Sequence, residues 1–453
     1  MTESPTATLL ADAARRAAAY LDGLAARPVA PAPEAVAALD ALDGPLPEGS
    51  AEPGAILEEL DRRISPATMA MAGPRFFGFV IGGALPATVA ANVLATAWDQ
   101  NSAKWAATPG TAALERVALR WTLEALGLPA GTGGGFVTGA TVANFTALAA
   151  ARHAVLAAAG WDVEARGLFG APPITVVVGA EVHVSVLKAL AMLGLGRERV
   201  VTVPADGQGR LRPDALPALR GPAIVCLQAG NVNTGAFDPA PPVIARAREA
   251  GAWVHVDGAF GLWAAAAPGR AYLAAGLADA DSWATDAHKW LNVPYDSGLA
   301  LVRDEAALRA AMGMTAAYLP DPGVRDPADS TPELSRRARG VEVWAALRNL
   351  GRSGLAALVE RTCRHAARFA EGLAAVGHEV LNDVVLNQVL VSFGDDERTR
   401  RVISALQADG TCWCGGTVWQ GRTAMRISVS SWATTEDDVE QSLAAMIRVA
   451  QAT

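Results

Sequence analysis

From about residue 133 onward, short and mainly apolar runs alternate with longer stretches in which apolar side chains recur every three or four positions. The runs fall at 136–137, 174–178, 200–203, 224–227, 253–256, 282–285 and 299–302. A strand open to water on one face alternates apolar and polar residues, so strands that are apolar throughout are covered on both faces. Interleaved with helices, these seven runs predict an α/β domain over 85–320 built on a mostly parallel seven-stranded sheet. The pattern is helical from about 85 to 130, closing near Gly127-Leu128-Pro129. Ahead of it, residues 1–70 mix Ala-rich amphipathic pieces with the Pro-rich break Arg27-Pro28-Val29-Ala30-Pro31-Ala32-Pro33. Residues 1–84 are therefore expected to form a helical arm that needs a surface to pack against. A Pro/Asp-rich loop at 320–332 ends the alternation. A long helical segment (335–376), two β-like runs (384–393 and 425–429) and a helix from about 435 then predict a smaller C-terminal α+β domain over 321–453.

Charge narrows the choice of partner. The 453 residues carry a net charge of −8 without any block of like charges, which argues against a nucleic-acid or anionic-membrane surface. No run approaches 18 uninterrupted apolar residues, and the first residues lack a basic, then apolar, targeting pattern. Cys226, Cys363, Cys412 and Cys414 show no C-x-x-C spacing and read as reduced thiols. A cytoplasmic protein that meets small molecules or copies of itself is expected, with no metal site. Its 38 basic residues include only three lysines, Lys104, Lys188 and Lys289. A guanidinium cannot lose its proton and attack a carbonyl, so any lysine nucleophile is one of these three.

In a parallel sheet the ligand sits at the carboxyl ends of the strands, and five such positions carry polar chemistry. Thr138-Gly139-Ala140-Thr141 opens a helix and suits either a phosphate or an ordinary cap. The glycine-rich 131–135 stretch is no dinucleotide fingerprint, since the last glycine position is Phe136. His183 follows a second strand, as a cap, a packing residue or a ligand. Gln228 to Gly235, with Asn231, forms an amide-rich turn on the same rim. Asp257 ends an apolar strand, followed by the small Ala259, and a buried carboxylate requires a cation or strong donors. The next strand leads into Asp286-Ala287-His288-Lys289. Asp257 with Lys289 reads either as a buried ion pair or as a site. Taken together, the five fit pyridoxal 5'-phosphate: a lysine for the imine, a carboxylate for the pyridine nitrogen, an imidazole for the ring and a helix start for the phosphate.

The residues around Lys289 carry a resemblance. Ser282-Trp283, five residues, Lys289-Trp290-Leu291, three residues and Tyr295 resemble the lysine signature of the group II pyridoxal-dependent decarboxylases, the aromatic-L-amino-acid decarboxylase and glutamate decarboxylase superfamily. Arg75-Phe76-Phe77-Gly78-Phe79, Thr108-Pro109 with Leu114-Glu115, and Leu334-Ser335-Arg336-Arg337 with Trp344 resemble further family segments. The resemblance implies a fold type I homodimer with shared active sites, an arm wrapped on the partner, and decarboxylation of an L-amino acid, aromatic or hydrophobic, to the amine and carbon dioxide. It further implies that Lys289 carries the aldimine, Asp257 pairs with the ring nitrogen and His183 stacks on the ring. Ala140 and Thr141, with Asp286 or His288, lie at the phosphate. Phe76, Phe77 and Phe79 are candidates for a substrate pocket, and Arg422 and Arg426 for a carboxylate clamp, each also readable as ordinary packing or structural residues.

Three positions depart from that pattern. Ser297 stands where Cys or Ala is usual, Asp286 where Asn is common, and the stretch 319–330 lacks the tyrosine with which the family reprotonates Cα. A carboxylate near a phosphate needs compensation. The missing acid leaves open another reaction at Cα: aldehyde-forming oxidative decarboxylation, transamination or aldol-type chemistry.

Overall fold

A computed structural model describes residues 4–314 and 325–453. They fall into two compact units, Gly82–Ala367 with Asn382–Val389, and Met1–Ile81 with Arg368–Leu381 and Leu390–Thr453. The first is built on strands β1 (Gly133–Val137), β2 (Thr175–Gly179), β3 (Val201–Val203), β4 (Ala223–Gln228), β5 (Trp253–Asp257), β6 (Ser282–Asp286) and β7 (Gly298–Val302). Their order in the sheet is β1-β7-β6-β5-β4-β2-β3. β3, β2, β4, β5 and β6 pair in parallel, whereas β7 is antiparallel to both β6 and β1. Two reversals restore direction, so β1 points the same way as β6. The carboxyl ends of β1, β2, β4, β5 and β6 therefore open on one edge of the sheet. β1 and β4 to β7 are almost wholly buried, the polar residues of β5 and β6 included, and helix Ala140–Ala158 covers the sheet with Ala143, Ala147, Leu148 and Ala151. Alanine on this face lets the helix lie close to the sheet while burying little per residue.

The other unit carries the four-stranded sheet β10-β11-β9-β8, with β8 (Glu379–Val380), β9 (Gln388–Ser392), β10 (Gly415–Trp419) and β11 (Arg422–Ser428). Helix Glu436–Ala452 opens on a reciprocal cap, in which Thr435 accepts from the Asp438 N–H and the Asp438 side chain accepts from the Thr435 N–H. Phe76 stacks on Trp413 at 5.1 Å, and Phe77 packs edge-on to Phe369. Both phenylalanines are fully buried. Helices Pro5–Gly23 and Pro53–Glu59 bury no residue at all. Among the described residues no helix is long and apolar enough to cross a membrane.

Candidate active site

Asp257 is the last residue of β5, 5% exposed. Its Oδ2 accepts from Asn144 Nδ2 at 3.3 Å and Ser185 Oγ at 3.5 Å, and its Oδ1 from the Ala259 N–H at 3.2 Å. No cation among the described residues pairs with it. Desolvating a carboxylate costs several kcal/mol, and neutral donors recover part of that cost while leaving the charge uncompensated. Side chains two apart on a strand share a face, so His255 lies behind Asp257. Trp253 Nε1, which can only donate, bonds Ser282 Oγ at 2.8 Å. That hydroxyl faces His255 Nδ1 at 2.9 Å, and His255 Nε2 faces Asn144 Oδ1 at 2.8 Å. With the Ser282 hydroxyl donating to Nδ1, every donor in the series points towards Asp257. The Asn144 amide is thereby fixed with its NH₂ on the carboxylate.

Burial pushes the His255 imidazole down to about 3 from its ordinary 6.5, so the folded chain keeps it neutral. The unfolded chain protonates it near 6.5, and the folded chain resists until about pH 3. Its contribution to stability is therefore complete above pH 6.5 and is lost as pH falls towards 3, at about 1.4 kcal/mol per unit. His255→Gln removes that proton from the unfolded state. The stability gap between wild type and variant, followed by urea unfolding, is expected to narrow by about 2 kcal/mol between pH 7 and pH 5; a constant gap would show that His255 is not held neutral.

His183 caps the helix Val184–Met192, its Nδ1 2.8 Å from Ser185 Oγ and 3.3 Å from the Ser185 N–H. Ser185 thus links His183 to Asp257, and the two line one cavity with Gly179, Cys226 and Gln228. Lys289 lies beyond the end of β6. Its Nζ is 3.0 Å from Asp286 Oδ2, so the lysine's ion pair is with Asp286, not with Asp257. The other oxygen, Asp286 Oδ1, accepts the N–H of Ala140 at 2.6 Å, at the start of the helix that follows β1. His288 accepts the Ser297 N–H on Nδ1 at 3.1 Å, lies 3.6 Å from Asp286 Oδ2 through Nε2, and stacks on Tyr295 at 4.2 Å. Burial holds the His288 imidazole below its usual range, so the ring is neutral and carries its proton on Nε2. Two glycines make this corner possible. A Cβ on Gly139 would stand 3.0 Å from His288 Cε1, and one on Gly82 would stand 1.8 Å from the Lys289 carbonyl oxygen.

Asp257, His183, Ala259, Ala140, Asp286, His288 and Lys289 thus gather on the carboxyl edge of one sheet, with Thr141 in the first turn of the helix that Ala140 opens. Asn231 serves its own turn, its Oδ1 accepting the Asn233 and Thr234 N–H groups and its amide donating to Gln228. Of the other two lysines, Lys188 is exposed and Lys104 is paired with Asp326 at 2.9 Å. The remaining candidates belong to the other unit. Phe79 is exposed beside Trp413, and Arg422 is spent on an exposed pair with Glu379. Arg426 has no carboxylate partner among the described residues, and burial weakens the guanidinium's hold on its proton. Tyr318 and residues 319–324 lie outside the described residues. Asn144, Ser185 and His255, which hold Asp257 or its donors, escaped motif reading, and Ser282 stood in the lysine motif without a role. Among the first three, only the alternation of His255 with Asp257 along one strand gives a signal.

An amine, an uncompensated carboxylate and two imidazoles on the carboxyl edge of a mostly parallel sheet define a cofactor-dependent α/β enzyme. Residues 35–394 match the model of the pyridoxal-dependent decarboxylase conserved domain, and the chain belongs to that family. It is 30% identical to L-2,4-diaminobutyrate decarboxylase of Rhizobium meliloti over 90% of this chain and 84% of that one. It is 28% identical to the aromatic-L-amino-acid decarboxylase of Bacillus atrophaeus over 73% and 70%. With phenylacetaldehyde synthase of Arabidopsis thaliana it shares 25% over 85% and 84%. The crystal structure of Oryza sativa TDC with PLP and tryptamine superposes with a TM-score of 0.90 at 24% identity, over 100% of this chain and 99% of that one. The fold is therefore fold type I, the cofactor is pyridoxal phosphate, and the enzyme is a carboxy-lyase acting on amino acids.

The residues fit that cofactor. Asp257 is a carboxylate lacking a cation, where a protonated ring nitrogen supplies one. Ser297 Oγ, close to His288, is buried without a partner among the described residues, as a donor awaiting an acceptor would be.

Proposed function

We propose that the chain converts an aromatic or other apolar L-amino acid to its amine and carbon dioxide, with Lys289 as the covalent anchor of the cofactor. In this reading Asp257 holds the proton on the ring nitrogen and His183 lies against the ring face. The helix start at Ala140 and Thr141, with His288 Nε2, meets the phosphate. The bound cofactor supplies an electron sink for the pair released when the carboxylate leaves. The protein's part is to keep that sink charged. The observation that carries the reading is Asp257 itself: a carboxylate 5% exposed, held only by neutral donors, with one of those donors fixed by a hydrogen-bonded series five residues long. Neutral donors hold the carboxylate in place without answering its charge, which leaves it to stabilise a cationic ligand.

We further propose a cytoplasmic homodimer with shared sites. Helix Pro5–Gly23 buries nothing in the single chain, and Leu10 is 54% exposed on it. All four cysteines are free and buried, which suits a reducing compartment.

A second reading, aldehyde-forming oxidative decarboxylation, is favoured by the lack of a tyrosine in 319–330 and by the likeness to phenylacetaldehyde synthase. Incubating the cofactor-loaded protein with a panel of amino acids and identifying products by mass spectrometry separates the two. Equal amounts of amine and carbon dioxide, highest with aromatic substrates, are expected. Aldehyde with consumption of oxygen would establish the second reading, and preference for an acidic or basic amino acid would remove the substrate assignment.

A further inference from the structure

Asp286 is the carboxylate that meets the helix start in the corner where the proposed function puts a phosphate, with Asp296 beyond His288 paired to Arg339. The carboxylate is 2% exposed, with Oδ1 on the Ala140 N–H and Oδ2 on Lys289 Nζ. A helix start attracts anions because its first N–H groups have no partners within the helix, and here one of them is already taken. The lysine amine is taken as well. Every group facing Asp286 has a bearing on its charge: the Ala140 N–H from the helix, Lys289 and His288 from its own segment, and Tyr295 stacked on His288. Only Lys289 among them is a fixed cation, and linking that amine to a cofactor withdraws it from the pair. A phosphate brought to the same donors would then stand beside a buried carboxylate that had lost its cation. Repulsion between desolvated like charges raises the proton affinity of one of them.

We propose that Asp286 is an internal stand-in for the cofactor: in the unloaded chain it satisfies both the helix-start N–H and the Lys289 amine, and cofactor loading is coupled to uptake of a proton by this carboxyl. The inference rests on the assignment of Lys289 and the Ala140 helix start to the cofactor. Linking the Lys289 ammonium to an aldehyde would expel water and free one proton, and the Asp286 carboxylate 3.0 Å away would take it, as a neutral acid donating to the phosphate instead of repelling it. A chain lacking this carboxylate would release that proton instead, so its affinity would gain on that of the wild type as pH rises.

The test is cofactor affinity, read from visible absorbance or fluorescence titration of the unloaded protein at about pH 6 and pH 8. Asp286→Asn keeps an oxygen for the Ala140 N–H and removes the charge. It is expected to bind pyridoxal phosphate at least tenfold more tightly than wild type at pH 8, with a smaller ratio at pH 6. Asp286→Glu should keep the weaker, pH-dependent binding, and Asp286→Ser should show the same gain as Asn if the Asn variant folds poorly. Calorimetry in two buffers of different ionisation enthalpy should count about one more proton taken up by wild type than by Asp286→Asn. Equal or weaker binding by the uncharged variants, or a ratio that does not change with pH, overturns the proposal. If the visible absorbance survives in Lys289→Ala, the site assignment itself has failed. If it is lost there while Asp286→Asn changes nothing, the site stands and Asp286 is only a structural cap.

Discussion

Lys289→Ala is expected to abolish the visible absorbance of the lysine-bound cofactor and to lower turnover on the order of 10⁴- to 10⁶-fold, the scale on which loss of a covalent nucleophile is felt. Lys188→Arg and Lys104→Arg should keep that absorbance. The contrast follows from where each amine sits. Lys188 is exposed, and Lys104 is held by Asp326 at 2.9 Å. Lys289 stands at the carboxyl edge of the sheet beside a helix start, with its backbone packed so tightly on Gly82 that a single added Cβ would enter the Lys289 carbonyl oxygen. The fixed backbone sets where the flexible four-carbon stem begins, and the ion pair with Asp286 at 3.0 Å aims its amine. Absorbance and turnover read different things, so a variant that loses turnover yet keeps absorbance would move the anchor to another lysine.

The largest stability effect is expected at Glu115 and Arg336. Both side chains are 1% exposed and meet in a two-pronged pair, Nη1 to Oε1 at 2.8 Å and Nη2 to Oε2 at 2.7 Å. Removing one partner leaves the other charged and buried, which costs about 3–5 kcal/mol. Glu115→Ala and Arg336→Ala should each lower the thermal unfolding midpoint by several degrees, measured without cofactor so that ligand binding does not mask the loss. Glu115→Leu with Arg336→Met, which removes both charges and keeps the volume, should recover most of it. A double variant as unstable as the single ones would show that the pair contributes attraction beyond compensating its own desolvation.

That pair also marks the boundary of what the sequence made legible. Glu115 and Arg336 stand in two segments recognised separately as motifs, 221 positions apart, and nothing in either names the other. The seven apolar strand runs were legible because a strand covered on both faces has no polar alternation to blur it. Hairpin β10–β11 was half seen: β11 shows an apolar run, whereas β10, Gly415 to Trp419, alternates exposed and intermediate positions and opens on two glycines. Strand-end logic put Asp257, His183, Asp286, His288 and Lys289 on one edge, where the structure has them, since the topology of the sheet fixes which ends meet. It could not find what holds them. Asn144 reaches Asp257 across 113 positions, and Asp286 reaches Ala140 across 146. Nor does a place on the rim tell what a side chain bonds to, since Asn231 lies there with its hydrogen bonds made within its own turn. Apolar residues beside a glycine, such as Phe76 and Phe77, have the same composition in a pocket wall as in a core, and the structure places both in the core of their unit.

The central claim is that one nitrogen, Lys289 Nζ, anchors the cofactor. Borohydride reduction of the loaded protein fixes the cofactor to whichever lysine holds it, and proteolysis with mass spectrometry then locates the added mass. With three lysines in the chain the answer is one of three peptides or none. The added mass is expected on the peptide containing Lys289, in stoichiometric yield; its appearance on the Lys104 or Lys188 peptide, or on no peptide from a protein that decarboxylates amino acids, would contradict the assignment.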